Sequence, residues 1–236
     1  METQESLALV LDRIPFGERD LVLTLLTRDA GVVSAIARGA RGSGRRFAGA
    51  LDLFVVLSAR WRPGRASLAT LTGAEVVRQF PGVLERLDRL EAGQAMLVLA
   101  RDLARDAPAG ESMHDRLVAA FETLADAPPA LVFGGLLDLA VALLEDLGHP
   151  VAGAHCPRCR GVLAAPGAVL AGDGSVVCAD CGRAVSGVAA DVLVPPRDLR
   201  APPDRDAALN LAAALVSGAL GRPYRFRIGS AEELGR

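Results

Sequence analysis

At Pro81-Gly82 the apolar residues of this chain stop reading in short β-like runs and begin to recur every three or four positions. No single layer of strands or of helices accommodates both patterns, so an α+β, multidomain chain is expected. Upstream of that point, five short segments rich in Val, Leu, Ile and Thr read as strands over 6–14, 20–27, 31–38, 51–60 and 66–80. Arg28-Asp29-Ala30-Gly31 and Arg62-Pro63-Gly64-Arg65 supply the turn chemistry of hairpins between them. Five strands with no long helix among them predict a small closed or half-closed β-barrel. An OB-type and an SH3-like barrel both fit that count.

Downstream, Leu84, Leu87, Leu90, Leu97, Ala100 and Leu103 mark one helix, broken by the loop 107–110. A second covers 115–125, with Leu117, Phe121 and Leu124 on one face. Pro128-Pro129 opens a third, whose stripe includes Phe133, Leu136, Leu137, Ala140, Leu143, Leu144 and Leu147 before Gly148 and Pro150 end it. The stretch 151–200 has weak periodicity, and Asp204 or Asp206 then caps a last helix that runs to Gly221 and packs back on the bundle. The resulting plan is a barrel over 1–80, a helical domain over 81–150, an insert over 151–200 and a C-terminal helical segment over 201–236. The longest apolar run, Ala130 to Leu137, is far short of the ~20 residues of a bilayer span. METQES shows no export signal, which points to the cytoplasm.

All four cysteines fall within 26 residues, as Cys156-Pro157-Arg158-Cys159 and Cys178-Ala179-Asp180-Cys181. Two C-x2-C pairs at that distance form two knuckles whose thiolates face one another, the geometry of a tetrahedral four-sulfur site. Gly161 and Gly182 stand just past the knuckles, where turning amides could reach the sulfurs. Zn(II) is the expected metal, with rubredoxin-like iron sharing the ligand set. Four thiolates leave no open position, so the metal's role is structural. A thioredoxin-like pair lacks a βαβ context, disulfides suit an exported chain, and haem attachment needs a His where Arg160 and Gly182 stand.

The formal net charge of −2 conceals segregation: residues 1–74 carry +3, 75–150 carry −7 and 151–236 carry +2. All 26 basic residues are arginine, an effect that GC-rich coding explains. Between Val33 and Ala74 stand Arg38, Arg41, Arg45, Arg46, Arg60, Arg62 and Arg65 against the single acid Asp52. Four of them lie in the Gly- and Ser-rich loop 38–47, where forked guanidinium groups on adaptable backbone can track phosphates. Trp61, between Arg60 and Arg62, is the candidate base-stacking platform. A Walker motif is excluded without lysine, and neither G-x-S-x-G nor H-E-x-x-H occurs. The three histidines are scattered and the acids unpaired, so an enzyme is not expected.

The order of these features resembles one family, the DNA repair and recombination mediator RecO. Glu18-Arg19-Asp20-Leu21-Val22-Leu23-Thr24-Leu25-Leu26-Thr27 to Gly31 looks like its early hairpin, and Arg38-Gly39-Ala40-Arg41 like the basic loop after its third strand. Residues 136–159 are similar to its helix, glycine and first cysteine knuckle. The resemblance runs from about residue 5 to the last helix. It implies an N-terminal OB-type barrel followed by a helical bundle carrying an inserted four-Cys zinc element. It also implies a non-enzymatic role: binding single- and double-stranded DNA, annealing complementary strands coated by single-strand-binding protein, and acting with RecR to help load RecA. Such a protein works in the cytoplasm at the nucleoid. Arg38 and Arg41 match the family's basic loop, and Cys156, Cys159, Cys178 and Cys181 its metal ligands. No residue is assigned to the acidic tail of single-strand-binding protein. The competing readings are a zinc-containing RNA-binding or protein–protein adaptor module, and a thiol redox enzyme using Cys156 and Cys159.

Overall fold

The structure is a computed structural model, and it describes residues 2–42, 47, 49–64, 68–105, 110–194 and 204–226. Arg45, Arg46 and Arg65 lie outside the described residues. The chain divides into two compact units, residues 1–126 and 127–236. The helical stretch 81–150 is thereby shared between them, and each unit is described by itself.

In the first unit, five strands close a barrel: β1 (Gln4–Phe16), β2 (Asp20–Thr27), β3 (Gly31–Ala37), β4 (Val55–Arg62) and β5 (Leu68–Gln79). Their order around the wall is β1-β2-β3-β5-β4, and β1 pairs with both β2 and β4. All neighbours are antiparallel except β3 and β5. That single parallel seam, where β3 meets β5 rather than β4, makes the barrel OB-type. Bulges between Val10 and Asp12 on β1, and at two points along β4 and β5, let a small barrel bend shut. The interior is filled by alternate residues, among them Val10, Leu23, Leu25, Ala35, Leu57, Ala59, Trp61 and Leu71.

Three helices complete this unit: α1 (Pro81–Leu84), α2 (Leu87–Leu103) and α3 (Glu111–Asp126). The outer-face residues Leu9 and Leu26 are buried as well, where α2 packs on β1 and α3 on β2. Phe121 of α3 meets Phe54 edge-on at 5.2 Å and Phe80 at 5.7 Å. A Cβ on Gly93 of α2 would stand 2.7 Å from the Phe54 ring, so the absent side chain there is what admits the aromatic. Arg101 of α2 reaches Asp12 on β1 at 2.9 Å.

Arg28, just past β2, fastens α3 to the barrel through Asp115 at 3.0 Å and Glu111 at 2.5 Å. The Arg28 guanidinium, helped by His114, holds the Asp115 carboxyl down at about 2. A carboxyl depressed on folding stabilises the protein above its ordinary value near pH 4, and that contribution is lost as pH falls through the folded value. The difference in Tm between the native protein and Asp115→Asn should therefore be constant above about pH 5, shrink as pH falls and vanish only below about pH 2. Thermal melts across that range check it; a difference undiminished at pH 2 contradicts the pairing.

In the second unit, a 3-10 turn at Pro129–Leu131 leads into α4 (Val132–Asp146), and α6 (Arg205–Leu220) packs along it. The α6 start is capped by Asp204, whose carboxylate accepts from the Ala207 amide at 2.9 Å. Its end is closed by Gly221 at φ +63°. Between the two helices lie β6 (Val169–Ala171), β7 (Val176–Val177), the short helix α5 (Ala179–Gly182) and β8 (Gly187–Ala189), the strands forming a sheet of order β7-β6-β8. Among the described residues, no helix is long and apolar enough to cross a membrane.

Candidate metal centre and nucleic-acid interface

The first knuckle folds because Cys156 sits in a tight hairpin: its amide donates to Gly161 O at 2.9 Å and its carbonyl accepts from Arg160 N at 2.9 Å. The left-handed residue in this turn is Arg160, at φ +64°, not the neighbouring glycine. In the second knuckle Cys178 precedes α5, and its carbonyl accepts from Gly182 N at 2.8 Å. Gly182 serves packing: a Cβ there would come within 2.7 Å of Val169 on β6.

These turns bring the four sulfurs within 4.8 Å of one another. Cys159 Sγ and Cys178 Sγ are 3.7 Å apart. A disulfide would hold them at about 2.0 Å, whereas a tetrahedron with metal–sulfur bonds of about 2.3 Å has edges of about 3.8 Å. The donor set thus fits a four-coordinate thiolate metal ion.

The ionisation of the quartet points the same way. Burial pushes the Cys156 thiol up, but the amides of Cys159, Cys178 and Arg158 aimed at its sulfur prevail and bring it to about 6. Burial, together with hydrogen bonding to the other three sulfurs, pushes Cys181 up to about 12. Crowded thiols share negative charge unwillingly until a cation compensates them. The amides acting on Cys156 are those of Cys159, Cys178 and Arg158, while Gly182 N is spent on the Cys178 carbonyl.

Second-layer contacts tie the centre to its unit. Arg158 pairs with Asp173 at 3.6 Å, linking the first knuckle to the β6–β7 turn. Asp173 in turn accepts from Ser175 N and Oγ at 3.0 and 2.6 Å. Asp191 Oδ1 accepts from the amides of Gly167 and Ala168 at 2.8 and 2.7 Å, closing the far side of the sheet.

The arginines divide into groups. Arg38 and Arg41 are exposed in the loop after β3. That loop is pinned to the β1–β2 hairpin tip: Arg41 N donates to Arg19 O at 2.9 Å, Gly39 N to Asp20 Oδ1 at 2.8 Å, and the Arg41 guanidinium to Gly17 O at 3.5 Å. Among the described residues Arg38 makes no ion pair. Arg62 is exposed at the end of β4, its Nε donating to Thr3 Oγ1 at 3.5 Å. It shares a register row with Thr70 and Ile36, which sets it at the same end of the barrel as Arg38. Arg60 is different: it pairs with Glu75 at 2.5 Å, so its charge is already met, while Glu5, its register neighbour on β1, accepts from Ser58 Oγ at 2.7 Å.

Trp61 does not serve as a surface platform. It is 2% exposed, inside the barrel with Leu57, Ala59 and Leu71. Stacking a base on it would require opening the core. The signal was available: Leu57, Ala59 and Trp61 share one parity of β4, and Ser58, Arg60 and Arg62 the other. The strand expected over 6–14 runs from Gln4 to Phe16 and carries Arg19 up beside the basic loop.

The family profile described as Recombination protein O N terminal matches residues 1–80, the barrel and its loops. The chain is 37% identical over 194 residues to the DNA repair protein RecO of Anaeromyxobacter dehalogenans strain 2CP-1, covering 78% of this chain and 73% of that one. It is 35% identical over 196 residues to the DNA repair protein RecO of Myxococcus xanthus, covering 81% and 78%. Against that of Gloeobacter violaceus identity is 41% over 127 residues, or 54% of this chain and 48% of the relative. With the OB-type barrel, the helices and the clustered cysteines in place, these matches make the chain a member of the RecO family of DNA repair proteins.

Proposed function

We propose that this protein is a DNA-binding recombination mediator that anneals complementary single strands and helps load the RecA recombinase during recombinational repair. The observation that supports this most directly is the Arg38–Arg41 loop, held by three hydrogen bonds against the hairpin tip of an OB-type barrel in a chain whose relatives are DNA repair proteins. Guanidinium groups on braced backbone lose little entropy on meeting phosphate. Arg62 extends the same end of the barrel, and Arg45, Arg46 and Arg65 fall in neighbouring loop segments of the sequence. Arg60, paired with Glu75, contributes little.

In this reading residues 1–80 bind single- and double-stranded DNA, and the rest of the chain is scaffold and partner surface. Cys156, Cys159, Cys178 and Cys181 hold a structural Zn(II) that takes no part in chemistry, and the protein is not an enzyme. Its partners are RecR and single-strand-binding protein, through the latter's acidic tail, and its place is the cytoplasm, at the nucleoid.

The test is annealing of complementary strands, with and without single-strand-binding protein, alongside DNA affinity as a function of salt. Single strands give a slope of about −0.7 in log K against log[salt] per phosphate contacted. Arg38→Ala/Arg41→Ala should flatten the slope by about 1.4 and slow annealing. An unchanged slope removes this loop from the interface. Structured RNA competing as well as single-stranded DNA would favour the RNA-binding alternative.

A further inference from the structure

The barrel carries an exposed aromatic that neither its core nor its ion pairs employ. Phe16 ends β1 with 56% of its surface exposed, and Ile14, two residues before it on the same face, is equally exposed. Their register partners are Asp20 and Val22 on β2, and Val22 continues to Ile36 on β3. Extending that register by one row places Arg38 beyond Asp20, two strand spacings or about 10 Å from Phe16 on the same outer face. The hydrogen bonds that join Gly39 to Asp20 and Arg41 to Arg19 and Gly17 fix this tip to the basic loop. An aromatic ring and two phosphate-seeking arginines therefore stand on one braced ledge.

We infer that Phe16 is a base-stacking platform for single-stranded nucleic acid, with Arg38 and Arg41 on the flanking phosphates. The inference rests on the reading of that loop as a phosphate-binding loop. The local charge favours such a ligand over a duplex. Arg19, Arg38 and Arg41 stand near Glu18 and Asp20, so the excess of positive charge is small and electrostatics alone binds weakly here. A ligand gains more by adding an apolar π-face to its phosphates, which an unpaired strand offers and a duplex, with its bases stacked inward, does not. The exposed Phe16 and Ile14 supply that face.

The experiment compares the whole protein's affinity for an oligo-dT and for an abasic oligonucleotide of equal length across a salt series. Native protein should prefer oligo-dT by about tenfold, the usual worth of one stacked base. Phe16→Ala should erase the preference by weakening oligo-dT binding about tenfold at every salt concentration, with its salt slope unchanged, while Phe16→Tyr retains most of it. Thermal melts of both variants should match the native protein, since Phe16 lies outside the core. Phe16→Trp adds a direct reading: its new fluorescence should quench as oligo-dT binds, against the buried and unresponsive Trp61. Undiminished oligo-dT affinity in Phe16→Ala overturns the platform, as does equal weakening of both oligonucleotides. If Arg38→Ala/Arg41→Ala flattens the slope while Phe16→Ala does nothing, the phosphate loop stands and only the platform falls. If the double variant leaves the slope unchanged, the loop reading falls and takes the platform with it.

Discussion

Cys156→Ser, or chelation of the native protein, should unfold the cysteine element and expose 151–194 to protease, while the barrel keeps its own melting transition. The apolar interior of this element is small, built from residues such as Leu163, Leu170, Val176, Val177 and Leu193, with a sheet of two- and three-residue strands. Such a core cannot offset the entropy of ordering so many residues. A structural zinc ion in small peptides is worth about 10–16 kcal/mol at neutral pH, which makes ligand loss the largest single change available in this chain. Removing one ligand also leaves three thiols within 4.8 Å with no cation to hold them. Metal analysis should find one equivalent of zinc in the native protein, and hydrogen exchange should report the loss of protection. A metal-free variant that stays fully protected would contradict a structural role. Stoichiometric zinc would also weigh against the thiol redox reading.

Gly218→Ala should lower the stability of the second unit by about 2–3 kcal/mol, the upper range for overpacking. Such a loss corresponds to roughly 8–20 °C in Tm for a unit of this size. Gly218 lies in α6, and a Cβ there would stand 2.1 Å from the Cα of Gly174 in the β6–β7 turn; a Cβ on Gly174 would meet Gly218 Cα at 2.8 Å. Both obstacles are backbone, so no rotamer relieves the clash. Gly174 also has φ +81°, a left-handed turn that suits glycine. The element must shift away from the helix, disturbing the Arg158–Asp173 pair beside it. Gly172→Ala in the same turn is the control, since a Cβ there meets nothing within 4 Å and should leave the melt unchanged. A Gly218→Ala protein that melts like the control would show that the close approach is not needed for stability.

Much of the architecture was legible in the residues because it is encoded locally. The N-cap Asp204 and the left-handed Gly221 bound α6 where expected, and the C-x2-C spacing by itself builds each knuckle. The change of period at Pro81-Gly82 coincides with the end of the barrel and the start of α1. Strand ends were less legible: β1 runs through Pro15 to Phe16 because that proline needs no ladder amide at the hairpin's outer end, and β4 begins only at Val55 after a turn through 51–54. The strand count could not choose between barrel types, since the choice lies in which strand β5 joins.

By itself, the sequence determined the succession of strands, helices and cysteine pairs, the caps that end the helices, and the four-sulfur ligand set. These depend on residues a few positions apart, whose chemistry acts along the chain. Only the tertiary structure decided which charges remain available and which surfaces meet. Arg60 is matched by Glu75 across the β4–β5 pairing, while Arg38 and Arg41 are presented beside a hairpin tip. Gly174 and Gly218 touch across 43 intervening positions of chain. Pairing, register and close approach are long-range properties, and no local propensity carries them.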